Sequence, residues 1–267
     1  MSTIDPQRTV YFHGAPGSPI ELDIAGIPDR QKPVTLPPLD LRRFDQHLDQ
    51  NSLKSVSLIG FSMGSFSAIK IAAARPDRVA DVVLVSPAAP LELGDFLKDA
   101  KGGALFSLAK IFPPALRYLT VMQASIAAVA PLTLLRVMFA GACEAERRLL
   151  TDANFISLMT KNLRQALQAE RETYLHSVSR FVQPWADDLQ KVQCAVSIVH
   201  GALDSWAPLS MAKTLKRELD DRASLEVLPT AGHYSTLLAR LPEILHSPIA
   251  ASPSSTPIAP DRCRDAK

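Results

Sequence analysis

The stretch SVSLIGFSMG, residues 55–64, decides which kind of fold this chain can form. Its first half, Ser55 to Ile59, is a short apolar run of the kind that forms a buried strand, and it stops at Gly60. The second half fits the pattern G-x-S-x-G, and the residues that follow it are helical in character. Side chains at either glycine would crowd a tight turn. The stretch therefore predicts a strand, a tight turn that exposes the hydroxyl of Ser62, and a helix.

Strands and helices alternate on both sides of this turn. Apolar and β-branched runs predict further strands at residues 9–13, 34–36, 79–85, 195–200 and 224–228. Helical spacing of apolar residues predicts helices at residues 39–50, 62–75, 208–219 and 234–246. Such alternation is typical of an α/β fold, here a mostly parallel sheet of about six strands with helices on both faces.

The chain is predicted to divide into a core, an insertion and a tail. Residues 88–188 are compatible with helix and contain no convincing strand, which predicts a helical cap inserted into a core formed by residues 1–87 and 189–246. Residues 247–267 are rich in proline, serine and alanine and have few large apolar side chains, so a disordered tail is predicted.

The composition of the chain limits which partners and which cellular compartment are expected. The chain has 267 residues and is 47% hydrophobic, which is enough for one sizeable core. Its 29 basic and 27 acidic residues leave a net charge of +2, so no nucleic-acid partner is expected. Three widely spaced cysteines favour a reducing compartment over a disulfide framework or a thiolate metal site. The first residues lack the pattern of a secretion signal, so a cytoplasmic location is predicted.

One uncharged run raises the question of a membrane. Tyr118 to Leu135 approaches the length of a bilayer span, but it contains polar residues and a central proline, and much of its hydrophobicity comes from alanine. Buried or substrate-facing cap helices are the favoured interpretation, so no membrane association is expected. Contact with a lipid interface remains the alternative.

Two further residues would turn Ser62 into a nucleophile, because a serine hydroxyl needs a base to take its proton and an acid to orient that base. His233 is the candidate base, since it follows the strand at residues 224–228 and precedes a helix. Asp204 is the candidate acid, since it follows the strand at residues 195–200. Parallel strands end at one edge of the sheet, so the three residues can meet there.

A structural role remains open for each of these residues. Ser62 could cap a helix, Asp204 could stabilise a turn, and His233 could be an ordinary loop histidine. Other side chains fit the active-site roles less well because of where they lie relative to the strands. They are His13, His47, His176, His200 and His246 for the base, and Glu92, Asp187 and Asp188 for the acid.

Four segments together resemble the α/β-hydrolase superfamily. Between Val10 and His246 they are FHGAPGS (12–18), GFSMGS (60–65), HGALDSWAP (200–208) and AGHYS (231–235), which resemble the family's oxyanion loop, nucleophile turn, acid loop and histidine loop. The resemblance implies the α/β-hydrolase fold and a triad of Ser62, Asp204 and His233. It also implies an oxyanion hole made by the backbone N–H groups of Ala15 and Met63.

The chain departs from the family at its start. The two strands that usually precede the oxyanion loop are missing, which leaves a sheet edge for a partner subunit or the tail to cover. A homodimer is therefore a candidate assembly. The turn GFSMG is similar to that of the haloperoxidase-like esterases of this superfamily.

The expected reaction is hydrolysis of a carboxylic ester or thioester through an acyl-enzyme, without metal or cofactor. The apolar cap suggests a small-molecule substrate with a hydrophobic acyl or aromatic group. Three alternatives stay open: other chemistry of the same fold (C–C bond hydrolysis, acyl transfer or perhydrolysis), a non-catalytic binding protein, and a membrane-associated lipid hydrolase.

Overall fold

The core of the protein is a six-stranded parallel sheet. The structure is a computed structural model that describes residues 5–246. The strands are β1 (Thr9–Phe12), β2 (Val34–Thr35), β3 (Val56–Phe61), β4 (Val79–Val85), β5 (Ala195–Gly201) and β6 (Ala223–Leu228). They are arranged in the order β2-β1-β3-β4-β5-β6, and each neighbouring pair is parallel. The predicted α/β fold is confirmed, and the sheet is wholly parallel.

Helices cover this sheet and fill the long connection between β4 and β5. In chain order the α-helices are α1 (Glu21–Ile24), α2 (Leu41–Gln50), α3 (Gly64–Ala74), α4 (Gly103–Ile111), α5 (Pro113–Val129), α6 (Pro131–Phe139), α7 (Glu144–Leu149), α8 (Ala153–Arg164), α9 (Arg171–Phe181), α10 (Leu209–Leu219) and α11 (His233–His246). Helices α4 to α9 all lie between β4 and β5, and we call them the helical insertion.

The central strands are buried on both faces. Leu58 and Ile59 are consecutive in β3 and so point to opposite sides of the sheet, yet at most 1% of either is exposed. Leu84 and Val85, consecutive in β4, are likewise inaccessible. Such continuous apolar strands are typical of a parallel sheet that helices cover on both faces.

The four predicted helices begin one or two residues from their predicted starts, and two of these shifts involve residues of the site. Helix α3 starts at Gly64 rather than Ser62, because Ser62 has a φ of 53°, which a right-handed helix cannot contain. His233, predicted in a loop, is the first residue of α11. Both shifts leave the side chains at the carboxyl edge of the sheet.

The helical insertion contains the uncharged run that raised the membrane question. Within residues 5–246 no single helix is long and apolar enough to cross a membrane. Only α5 and α6 taken together reach that length and composition, and a bend of 119° separates them. The boundaries of the cap at residues 88–188 stay a prediction, and the predicted disordered tail, residues 247–267, lies outside the described residues.

Candidate active site

Ser62 lies in the tight turn between β3 and α3. Its backbone is in the left-handed region, with φ at 53°, a conformation that costs free energy in a residue with a side chain. Two backbone hydrogen bonds hold it there: Ser62 N–H donates to the carbonyl of Val85 at 3.0 Å, and Ala88 N–H donates to the carbonyl of Ser62 at 3.1 Å. The turn is therefore fixed by the end of the neighbouring strand β4.

The two glycines of the turn allow backbone segments to approach closely. A Cβ atom on Gly64 would lie 2.1 Å from the carbonyl oxygen of Phe12 at the end of β1. A Cβ atom on Gly60 would lie 2.8 Å from the backbone of Ser65 in α3. Glycine is required at both positions because a side chain would push the strand, turn and helix apart.

Asp204 and His233 form a buried pair at the same edge of the sheet. The Nδ1 atom of His233 is 2.7 Å from Oδ2 of Asp204, and the two residues are 2% and 7% exposed. The other carboxylate oxygen of Asp204 accepts hydrogen bonds from the backbone N–H groups of Trp206 and Ala207, at 2.8 and 3.0 Å. Asp204 therefore stabilises its own turn and orients His233 at the same time.

Aromatic rings hold the imidazole of His233 in place. The ring of Phe61, the residue before Ser62, lies 4.8 Å from it between centroids, and the indole of Trp206 stacks on it at 5.9 Å. Because Nδ1 faces Asp204, Nε2 is the nitrogen left for the reaction. Among the described residues the Ser62 hydroxyl has no hydrogen bond to His233, and catalytic contacts of this kind often tighten only when substrate binds.

Burial and neighbouring acids act in opposite directions on His233. Burial is the largest single effect and lowers the pKa of the imidazole, because it penalises the charged form. The charge and hydrogen bond of Asp204 raise it, with smaller contributions from Glu146 and Glu21. The attractions together outweigh burial, so the pKa of His233 lies above its usual value of 6.5.

Ser62 opens into a mainly apolar cavity of about 420 Å³ beneath the helical insertion. Ala15, Met63 and Trp206 line the same cavity. Much of its remaining wall is built by apolar side chains of the insertion: Leu105, Phe106, Leu119, Leu134, Val137, Met138, Leu163, Leu167 and Phe181. An acyl chain or aromatic group fits such a wall by its chemistry.

The backbone N–H groups of Ala15 and Met63 are both available at this cavity. Within the described residues neither donates a hydrogen bond to another group of the protein. The Met63 amide immediately precedes helix α3, whose N-terminus favours negative charge. The two residues predicted for the oxyanion hole are thus placed beside Ser62.

Two buried carboxyl groups belong to the site and were not predicted. Glu21 of α1 accepts hydrogen bonds from the backbone of Gly14 at 3.0 Å and from the hydroxyl of Tyr11 at 2.8 Å, and burial raises its pKa. Glu146 of α7 accepts from both the backbone N–H and the hydroxyl of Ser235, at 2.7 and 2.8 Å. Nothing in the sequence around either residue indicates these roles.

Three of the rival residues have structural partners. Glu92 caps the backbone at Trp185 and Ala186, and Asp188 pairs with Lys70 at 2.6 Å. The Nε2–H group of His200 donates to the carbonyl oxygen of Ala207 at 2.8 Å. In the described part of the chain no three His, Cys, Asp or Glu side chains converge on a point that could hold a metal ion.

Comparisons with known proteins agree with this geometry at the level of the fold. A family model described as "Alpha/beta hydrolase family" matches residues 11–243. No curated protein sequence is similar enough to this chain to count as a relative.

Solved structures with the same fold include a bromoperoxidase, an esterase and a further hydrolase. A bromoperoxidase from Bacillus anthracis is 18% identical, with 86% of each chain covered and a TM-score of 0.57. An esterase from Exiguobacterium antarcticum is 18% identical, with 89% of this chain and 91% of the other covered and a TM-score of 0.52. A hydrolase from Oleispira antarctica is 13% identical, with 89% and 87% covered and a TM-score of 0.58. At these identities the likeness extends to the fold alone.

Proposed function

Because this chain belongs to the alpha/beta hydrolase family, we propose that it is a serine hydrolase that cleaves carboxylic esters or thioesters. Ser62 is the nucleophile, His233 is the general base and acid, and Asp204 orients the imidazole. The backbone N–H groups of Ala15 and Met63 form the oxyanion hole. We place the reaction in the cytoplasm, in keeping with the cysteine usage of the chain.

The observation that carries this proposal is the buried Asp204–His233 pair, whose imidazole packs against Phe61, the residue before Ser62. An imidazole held at 2.7 Å by a carboxylate has its tautomer fixed, with the proton on Nδ1 and a lone pair on Nε2. Ser62, whose backbone is left-handed, lines the same cavity as Ala15 and Met63, and the N–H groups of those two residues donate to no other group among the described residues. A turn that served only to cap α3 would have no need of these features.

The reaction follows from these positions. The Ser62 oxygen attacks the carbonyl carbon while Nε2 of His233 takes the hydroxyl proton, and the carbonyl oxygen becomes an oxyanion between the two amides. The bond to the leaving group then breaks, and His233 returns the proton to the departing oxygen or sulfur. A water molecule, deprotonated by His233, attacks the acyl-serine, and the collapse of this second intermediate restores Ser62 and releases the acid.

The cavity supports a hydrophobic acyl or aromatic group as the substrate's recognised part. Each methylene group transferred from water to such a wall contributes about 0.8 kcal/mol, which corresponds to roughly a fourfold gain in kcat/KM. We therefore expect kcat/KM for p-nitrophenyl esters to rise with acyl length until the cavity of about 420 Å³ is filled. A series that favoured acetate over all longer acyl groups would contradict this substrate class.

Covalent labelling tests the nucleophile directly. A fluorophosphonate probe is expected to label the protein at Ser62, and Ser62→Ala is expected to lose both the label and ester hydrolysis while it keeps its fold by circular dichroism. Ser125→Ala removes an exposed serine of α5 and is the matched control, with full labelling expected. Absence of labelling in the wild-type protein would favour a non-catalytic binding protein.

Acyl transfer, C–C bond hydrolysis and perhydrolysis would use the same serine. Product analysis separates them from ester hydrolysis, because the proposed reaction yields the free acid in water without an added acceptor alcohol, diketone or peroxide. We expect that result with simple esters.

A further inference from the structure

Large apolar side chains are exposed on one part of the molecule. Among the described residues ten large hydrophobic side chains are exposed, and eight of them lie within residues 111–137 of the helical insertion. These eight form what we call the apolar cap face: Ile111, Phe112, Tyr118, Val121, Met122, Val129, Leu132 and Val137. Isolated exposed apolar residues are ordinary, whereas such a concentration marks an interaction surface.

Helix α5 shows how the face is built. Tyr118, Val121, Met122 and Val129 are spaced at i, i+3, i+4 and i+11, so they lie along one side of the helix. Tyr118 is 76% exposed and Val129 is 84% exposed, while Ala124 on the inner side is buried. The helix is therefore apolar on its outer side as well as on the side that packs into the protein.

The charged residues of the sequence run that carries this face have one sign. Residues 100–143 contain four basic residues and no aspartate or glutamate. Arg117 is paired with Glu172, but Lys110 and Arg136 are exposed at the two ends of the run that carries the face. An apolar helical surface with basic neighbours is the pattern that binds anionic lipid headgroups.

We infer that the apolar cap face docks on the surface of a membrane that contains anionic lipids. The 119° bend between α5 and α6 makes the pair unsuited to crossing a bilayer, but allows both helices to lie in the interface. A second copy of this chain is a poorer occupant, because a two-fold contact through the same face would bring the basic residues Lys110 and Arg136 of both copies into one interface.

The face continues into the active-site cavity. Val137 is 65% exposed and also lines the cavity, together with Leu134 and Met138 of the same helix. A docked molecule would therefore receive an acyl chain from the lipid phase without passing it through water. This step rests on the proposed function, and it names the substrate class more narrowly as esters of membrane-soluble acyl chains.

Sedimentation with vesicles tests the docking. The full chain is expected to pellet with vesicles of phosphatidylcholine and phosphatidylglycerol, less with phosphatidylcholine alone, and less at high salt. The double variant Met122→Glu and Val129→Glu is expected to lower the partition coefficient at least about tenfold, because two apolar side chains no longer leave water. Ser125→Glu, at an already exposed polar position of α5, gives a second variant that places charge on the face without loss of an apolar side chain.

A matched control adds the same charge elsewhere. Gln46→Glu together with Gln50→Glu introduces two charges on exposed positions of α2 in the core, and binding is expected to stay as in the wild type. Wild-type protein that remains in the supernatant with anionic vesicles overturns the inference. So does a wild-type dimer that both face variants convert to monomer, since a second copy would then cover the face.

Binding and catalysis can fail separately in this design. Ser62→Ala cannot turn over an ester but is expected to sediment with vesicles as the wild type does. Met122→Glu with Val129→Glu is expected to hydrolyse a short, water-soluble ester at the wild-type rate and to lose activity only on esters presented in vesicles. Equal loss on both substrates would contradict a role of the face in substrate delivery.

Discussion

His233 is a buried imidazole among acids, and this environment sets the pH range of the proposed reaction. The base must be neutral to accept the serine proton, so activity is lost as pH falls through its pKa. Burial lowers that pKa, but Asp204, Glu146 and Glu21 together raise it above 6.5. We therefore expect the acid limb of the pH profile, in which kcat/KM falls as the pH is lowered, to have its midpoint above pH 6.5. A midpoint at or below 6.5 with a water-soluble ester would show that the acids do not dominate.

Glu146 is a positioning residue in this scheme. It is 1% exposed, and it holds Ser235, whose hydroxyl in turn accepts the N–H of Gly232 next to His233. Glu146→Gln keeps an oxygen for Ser235 but removes the charge. We expect the acid limb to move to lower pH, because a charge that raises the pKa of His233 is gone. We also expect kcat to fall by up to about 100-fold as the histidine loop shifts.

The control for this prediction is on the same helix. Glu144 is exposed at the start of α7 and pairs with Arg148 on the surface, so Glu144→Gln should leave both the acid limb and kcat unchanged. If Glu146→Gln lowered stability and kcat but left the midpoint of the limb where it is in the wild type, its role would be structural only.

Residues of the site differ in how far the sequence could predict them. Ser62, Asp204 and His233 each follow a recognisable strand, so chain position alone brings them to one sheet edge. Glu21 and Glu146 could not be predicted in this way. Their roles depend on which loop a helix is packed against, and no local pattern encodes that contact.

At the scale of elements, the turn between β3 and α3 shows why its sequence pattern requires a glycine at position 64. Gly64→Ala would place a methyl group 2.1 Å from the Phe12 carbonyl, and neither backbone segment has a flexible end that could move aside. We expect the free energy of unfolding in urea to fall by about 1–3 kcal/mol, and ester hydrolysis to be lost, since the turn that carries Ser62 must shift.

A variant of a second glycine distinguishes the effect of this steric clash from the effect of backbone strain. Gly26 has a φ of 73° but no atom within 4 Å of its would-be Cβ, so Gly26→Ala should cost only about 1 kcal/mol and leave activity intact. Equal stability losses in the two variants, with activity preserved in Gly64→Ala, would mean that the turn tolerates expansion.

Elements of the core were predicted well because their signals are local. The predicted strand at residues 79–85 coincides with β4, since a run of apolar residues with polar flanks has one consistent interpretation. The predicted start of α3 was two residues early, because helical propensity does not register the left-handed backbone of Ser62. The exposed side of α5 could not be foreseen either, because apolar residues on both sides of a helix look buried from sequence alone.

At the scale of the whole molecule, the connection between β4 and β5 is hydrogen-bonded to the acid, histidine and oxyanion loops of the proposed site. The backbone of Lys101 donates to the carbonyl of Ser205 beside Asp204 at 2.8 Å, and Glu146 holds the histidine loop. The sheet edge predicted to be open is occupied by β2, a strand of two residues, which is too short to pair with another sheet. Whether a homodimer forms stays a prediction for sedimentation analysis.

The third connection reaches the oxyanion loop. The hydroxyl of Ser18 donates to Oδ1 of Asn162 in α8 at 2.7 Å, both residues are fully buried, and 144 positions separate them. Ser18→Ala leaves a buried oxygen unpaired, so we expect a loss of about 1–3 kcal/mol in the free energy of unfolding. It should also lower kcat, because Ala15 belongs to the same loop.

A double-mutant cycle measures this coupling between insertion and core. Asn162→Leu alone removes one partner, and the two changes together replace both polar groups with apolar ones. Neither partner of this hydrogen bond is then left buried without the other. The loss in the free energy of unfolding of the double variant should therefore be smaller than the sum of the losses of the two single variants, by about 1 kcal/mol. Strict additivity in urea denaturation would mean that the hydrogen bond does not tie the insertion to the oxyanion loop, and the cap would then have to be held by its apolar contacts alone.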